Sequence, residues 1–254
     1  MIDWKKQKAA VFRAGKGALV AVSDIDFVDM DSLLGIEAQK RQILENTQNF
    51  LDGKGANHAL LWGERGCGKS SLVKAVFTKF CEHGLRIIEL GAEDLRFLAD
   101  IIDEVRESEF KFIIFCDDLS FEDGNKEYKF LKPLMEGSIQ KAPSNVLFYA
   151  TSNRRHLMSE SKSDNENTLI SQGEIHHGDA VQEKISLADR FGLWISFYQG
   201  SFDEYLRIVD FYFKDHRCDK NKLHELAKNY ATLRASRSGR TAKQFYLAFK
   251  ENLK

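Results

Sequence analysis

Apolar and polar positions alternate in type along most of this chain. From Ser32 the residues Leu33, Ile36, Ile43, Leu44 and Phe50 recur near the 3.6-residue period of a helix, until Gly53 and Gly55 break it. Short apolar runs then alternate with helical stretches, as in successive βαβ units building a parallel sheet. The pattern predicts strands at His58 to Trp62, Leu85 to Leu90, Phe110 to Cys116, Asn145 to Ala150 and Leu193 to Tyr198. Between them it predicts helices at Lys69 to Cys81, Ala92 to Val105 and about Lys126 to Glu136. Within Phe110 to Cys116 the run Phe112 to Cys116 is apolar throughout, as expected of a strand buried on both faces of a parallel sheet.

Two regions depart from this alternation. Ser159 to Glu183 is rich in Ser, Asp, Asn, Glu and Gly and is expected to be a long exposed loop. After Gly200 the period is purely helical, over Phe202 to Asp215, Lys220 to Arg234 and Gly239 to Leu253. The expected fold is therefore α/β, a five-stranded parallel sheet with a C-terminal helical lid. The divisions are an N-terminal extension at 1–32, an α/β domain at 33–200 and the lid at 201–254. Within the extension, only Ala18 to Val22 suggests a strand.

Composition narrows the function classes. The 254 residues are 43% hydrophobic, ample for a buried core, and 37 basic against 38 acidic side chains leave a net charge of -1. That balance gives no global pull toward nucleic acid or anionic membrane, so such a partner would need a local patch. No apolar run approaches the roughly 20 residues of a membrane span. The amino terminus turns charged at Lys5 and Lys6 without a signal-like stretch, so a cytoplasmic protein and no membrane partner are expected. Cys67, Cys81, Cys116 and Cys218 are scattered without a C-x-x-C pair, and are read as reduced.

The chemistry concentrates at Gly63-Glu64-Arg65-Gly66-Cys67-Gly68-Lys69-Ser70, an octad of the form G-x-x-x-x-G-K-[ST] between a predicted strand and a predicted helix. Glycines let the backbone curl so that successive N–H groups face phosphate oxygens, and the helix N-terminus adds partial positive charge. Lys69 is expected to hold the β- and γ-phosphates and Ser70 to bind Mg²⁺, with Ser71 completing the nucleotide-binding set. Asp117 ends an apolar strand and suits the metal side of the site; Asp118 either polarises the attacking water or caps the following turn. Asn153, ending the next strand, either orients that water or serves as a turn residue. His176 and His177, near Glu174 and Asp179, are either solvated or a metal pair. Cys67 is a small P-loop residue whose oxidation would block the site.

Together these residues resemble the AAA+ P-loop ATPase superfamily from about Ser32 to the C-terminus. In that likeness Gly63 to Ser70 correspond to Walker A, Asp117 and Asp118 to Walker B, and Asn153 to the sensor-1 residue. Leu187-Ala188-Asp189-Arg190-Phe191-Gly192-Leu193 resembles the arginine-finger segment, Ser238-Gly239-Arg240 the sensor-2 motif of the lid, and Leu34-Gly35-Ile36 the segment that contacts adenine. The Asp-Asp pair departs from the commoner Asp-Glu and is similar to the branch of replication initiators and helicase loaders. Asp117 to Phe121, Thr151 to Leu157 and Gly173 to His176 more closely resemble a family of bacterial AAA+ proteins of unknown function. That family often carries a longer N-terminal extension, which sets the expectation that a partner-binding module is missing here.

The resemblance implies ATP with Mg²⁺ as cofactors and catalytic roles for Asp118, Asn153, Arg190 and Arg240. Arg190 would reach a neighbouring subunit's γ-phosphate, with a structural ion pair as the alternative and Arg154 and Arg155 as competitors for the role. Arg234, Arg237, Arg240 and Lys243 form a basic cluster that is phosphate-facing, solvated or in contact with nucleic acid. The expected function is an ATPase that hydrolyses ATP to ADP and phosphate, forms homo-oligomers and remodels a macromolecular partner. Two alternatives are a nucleotide-gated binding module and a DNA-associated loader with slow hydrolysis.

Overall fold

The structure, a computed structural model, describes residues 2–120, 127–136, 140–153, 169–171, 174–176 and 190–251. Its centre is a sheet of seven strands: β1 (Ala9–Arg13), β2 (Ala18–Ala21), β3 (Ala59–Gly63), β4 (Leu85–Glu89), β5 (Lys111–Cys116), β6 (Val146–Ser152) and β9 (Leu193–Phe197), ordered β2-β1-β4-β5-β6-β3-β9. All five expected strands are present and mutually parallel, but the sheet is not five-stranded. β1 adds a parallel strand beside β4, and β2 turns back antiparallel along β1. Ala9 and Ala10 are both buried, so β1 lacks the period-2 alternation that would mark it.

Helices cover both faces. On one side α1 (Glu37–Leu51) and α2 (Lys69–Phe80) enclose Ile43, Leu61, Val73, Phe77, Ile113 and Tyr149. On the other, α3 (Leu98–Val105), preceded by a 3₁₀ stretch Ala92–Phe97, packs with Leu60, Phe112, Ile114 and Phe148, and α4 (Lys132–Glu136) contributes Leu134 to the same core. This double coverage explains the continuous apolar run of β5. Helix α1 starts at Glu37 rather than at Ser32. Asp29 accepts the Asp31 backbone N–H to cap a separate 3₁₀ turn, and Gly35 at φ 77° cannot continue a right-handed helix.

Within the expected 159–183 loop, β7 (Leu169–Ser171) and β8 (Glu174–His176) pair as an antiparallel ribbon; the rest of that loop lies outside the described residues. After Gly200, α5 (Phe202–Tyr212), α6 (Lys220–Leu233) and α7 (Gly239–Phe249) enclose their own core of Tyr205, Val209, Phe213, Leu223, Ala227 and Phe245. α5 opens on a reciprocal capping box between Ser201 and Glu204, and Ser238 caps α7 through the Thr241 N–H. Among the described residues no helix is long and apolar enough to cross a membrane.

Candidate nucleotide-binding site

The strand order decides where the polar residues meet. In open α/β sheets a crevice forms at the carboxyl ends of the strands. β6 lies between β3, which leads into the glycine loop, and β5, which ends at Asp117. Residues at the end of β6 are thereby set between Lys69 and the aspartates. The register Cys116↔Ala150 carries forward to put Asp117 beside Thr151.

Lys69, the first residue of α2, is buried, and its ammonium donates to the carbonyls of Gly63 (2.7 Å) and Glu64 (2.8 Å) and to Asn153 Oδ1 (3.0 Å). Burial pushes its pKa down, opposed by Cys67 and by the charges of Asp118 and Asp117. Asn153 in turn donates through Nδ2 to Asp118 Oδ1 at 2.5 Å, so one amide joins the lysine to an acid. Ser70 Oγ donates to Asp117 Oδ1 at 2.6 Å. The serine hydroxyl and the carboxylate therefore stand side by side as hard oxygen ligands suited to Mg²⁺.

The loop's conformation needs its glycines. Gly63 (φ 127°), Gly66 (φ 79°) and Gly68 (φ 94°) all occupy left-handed space. A Cβ on Gly63 would sit 2.0 Å from the Phe197 carbonyl oxygen of β9, because β3 and β9 pair there and the Glu64 N–H donates to that same oxygen at 3.0 Å. The far wall of the loop is the lid: the Arg240 backbone N–H donates to the Gly66 carbonyl.

These elements enclose a cavity of about 850 Å³. Arg65, Gly66, Cys67, Gly68, Lys69, Ser70 and Ser71 line it, together with Asp117, Asp118 and Asn153 and with Gly35 and Ile36. Arg240 closes it from the lid beside Arg237 and Lys243. Gly63 and Glu64 are not in its wall; they meet Lys69 through their carbonyls. Arg190 lies in the turn before β9, partly buried and outside the cavity, and Arg154 and Arg155 fall outside the described residues. His176 closes β8, while His177 and Asp179 also lie outside them.

Several wall residues escaped the sequence. Thr151 donates from Oγ1 to Asp117 Oδ1 at 2.5 Å and accepts the Asp118 N–H at 2.9 Å. Inside an apolar run it reads as a strand former; only the register beside Asp117 signals more. Asp26 pairs with Lys74 at 2.8 Å, and Gln199 accepts the Arg237 N–H through its side chain while its own N–H donates to Glu64 Oε1. Nothing in local pattern marks these, since each acts across distant segments.

The family described as "Protein of unknown function (DUF815)" matches residues 5–253. The Replication factor C large subunit of Staphylothermus marinus is 40% identical over 77 residues, 30% of this chain and 16% of that protein. The chain therefore aligns with under a fifth of that relative's length. Among solved structures, the Thermotoga maritima RuvB Holliday junction branch migration motor aligns at TM-score 0.50 and 14% identity, over 87% of this chain and 72% of that one. A chain of the E. coli MS115-1 HORMA:CdnC:Trip13 complex aligns at TM-score 0.54 and 12% identity, over 80% and 75%. At such identities the likeness is one of fold, a mostly parallel α/β sheet covered by helices.

Proposed function

The chain belongs to the DUF815 family, and on that premise we propose that it is an AAA+ ATPase that binds Mg²⁺ and ATP, assembles with copies of itself and remodels a macromolecular partner in the cytoplasm. The observation that carries the reading is the single cavity in which Lys69, Ser70, Asp117, Asp118, Asn153 and Arg240 come together. Lys69 and the loop N–H groups hold the phosphates, and Gly35 and Ile36 flank the base. Ser70 and Asp117 would hold Mg²⁺, which would supply positive charge to neutralise the phosphates. Asn153 orients a water, Asp118 accepts its proton, and Arg240 carries the phosphate signal to the lid. Arg190, outside its own chain's cavity, serves a neighbouring copy's site.

Oligomerisation and action on a partner are supported by the fold shared with the RuvB motor and with the Trip13-containing complex. ATP turnover that rises with protein concentration and disappears in Lys69→Ala is the expected result. Absence of turnover at high concentration, with Lys69→Ala binding as much ATP as the parent, would reject the reading.

A second reading, a nucleotide-gated binding module with slow hydrolysis, is favoured by Asp118 standing where a longer glutamate is commoner and by its bond to Asn153. Turnover of Asp118→Glu separates the two: a large gain supports the module, and loss of an already fast rate rejects it. The words replication and Holliday junction in the relatives' names keep a DNA-associated loader as a third outcome. Salt-dependent DNA binding with ATP would reveal it.

A further inference from the structure

Asp118 is one of two non-glycine residues with positive φ among those described, at 53°. A single residue of the neighbouring strand grips the turn that contains it. Thr151 Oγ1 donates to Asp117 Oδ1 and accepts the backbone N–H of Asp118, while the Thr151 carbonyl accepts the N–H of Leu119 at 2.7 Å. Three consecutive residues are thus fixed to one threonine that is 2% exposed. The left-handed conformation is strained for an aspartate and persists only where surrounding bonds over-determine it.

The two hydroxyl bonds act on different groups. The bond to Asp117 Oδ1 leaves the other carboxylate oxygen without that constraint and orients the group beside Ser70 Oγ. The bond from the Asp118 N–H holds the backbone where the Asp118 side chain meets Asn153. A strand former of the same shape but without a hydroxyl would keep the Leu119 bond, which uses the Thr151 carbonyl, and lose both of these.

We propose that Thr151 is a positioning residue for the acid pair, its hydroxyl setting Asp117 for the divalent cation and Asp118 for the attacking water. This rests on the ATPase reading above and deepens it. The prediction is specific to the hydroxyl: Thr151→Val should fail where Thr151→Ser succeeds.

The test measures nucleotide binding as a function of Mg²⁺ and, separately, steady-state turnover, for the parent chain, Thr151→Val and Thr151→Ser. Expected for Thr151→Val are an unchanged ATP affinity in EDTA and a roughly tenfold higher Mg²⁺ half-saturation. Its kcat should fall about 10- to 100-fold with KM within about threefold. Thr151→Ser should restore the Mg²⁺ requirement. An Mg²⁺ half-saturation in Thr151→Val equal to the parent's would overturn the proposal. So would loss of binding in EDTA together with a lowered thermal midpoint, which marks a structural role. A parent chain that binds no nucleotide with or without Mg²⁺ rejects the ATPase reading itself, a separate outcome.

Discussion

Arg240 is tied to Gly66 by backbone: its N–H donates to the Gly66 carbonyl at 3.3 Å, and a Cβ on Gly66 would lie 3.1 Å from the Arg240 Cβ. The glycine loop and the first turn of α7 are therefore in direct contact. The same Cβ would stand 2.7 Å from Ser238 Oγ, the cap of that helix. The C-terminal helices and the phosphate loop thus leave no space between them at this point.

Gly66→Ala follows from this contact. The substitution is strained at φ 79° and pushes on Ser238, so the lid must shift or the loop must distort. Nucleotide affinity should fall at least about tenfold, roughly 1.4 kcal/mol, and protease cleavage near Gly200 should accelerate. Unchanged affinity with unchanged cleavage would show that the contact has no part in shaping the site.

Gly63→Ala should behave differently, as a folding defect. Its Cβ would overlap backbone on the neighbouring strand, the Phe197 carbonyl, and no side-chain rotation relieves that. The loss should exceed about 3 kcal/mol, seen as a lowered denaturation midpoint with and without ATP. A stable Gly63→Ala protein would contradict the β3–β9 register.

His58 predicts a pH dependence of stability. It accepts the Phe148 N–H through Nδ1 at 3.0 Å, and burial pulls its pKa down from 6.5 to about 4, with the Leu134 carbonyl opposing. The fold favours the neutral ring, so this contribution is complete above about pH 6.5 and is lost as pH falls toward 4. The full span corresponds to something on the order of 3 kcal/mol. His58→Gln, which keeps an acceptor but does not titrate, should flatten the urea midpoint between these pH values. Parallel pH profiles for the two proteins would exclude His58 as the cause.

Cys67 gives a negative expectation. Burial raises its thiol pKa, Glu64 adds to the rise, and Lys69 only partly opposes it. The thiol stays protonated at neutral pH, so iodoacetamide should modify it slowly and mild oxidant should leave ATP binding intact. Rapid modification that ATP blocks would reverse this reading and revive a redox role.

What the sequence discloses depends on how local the cause is. The octad around Lys69 is legible because glycine dihedrals and the helix N-terminus act within eight residues, and β5 is legible because burial on both faces leaves an unbroken apolar run. β1 is not, since Ala9 and Ala10 are buried in the cores on opposite faces of the sheet, built by segments far along the chain, and its partner strand β4 is equally distant. Thr151 is hidden for the same reason: its role exists only once β6 is inserted between β5 and β3. The contact of Gly66 with Ser238 joins residues 172 positions apart and has no local signature.

The proposed activity requires Mg²⁺ and ATP to bind in the cavity between the glycine loop and the lid, held by Lys69. Calorimetric titration of ATP with Mg²⁺ into the parent chain and into Lys69→Ala tests it most directly. One site per chain is expected, with an affinity at least about 100-fold weaker in the variant, about 2.7 kcal/mol. Equal affinity in the two proteins, or no binding to the parent chain, would contradict it.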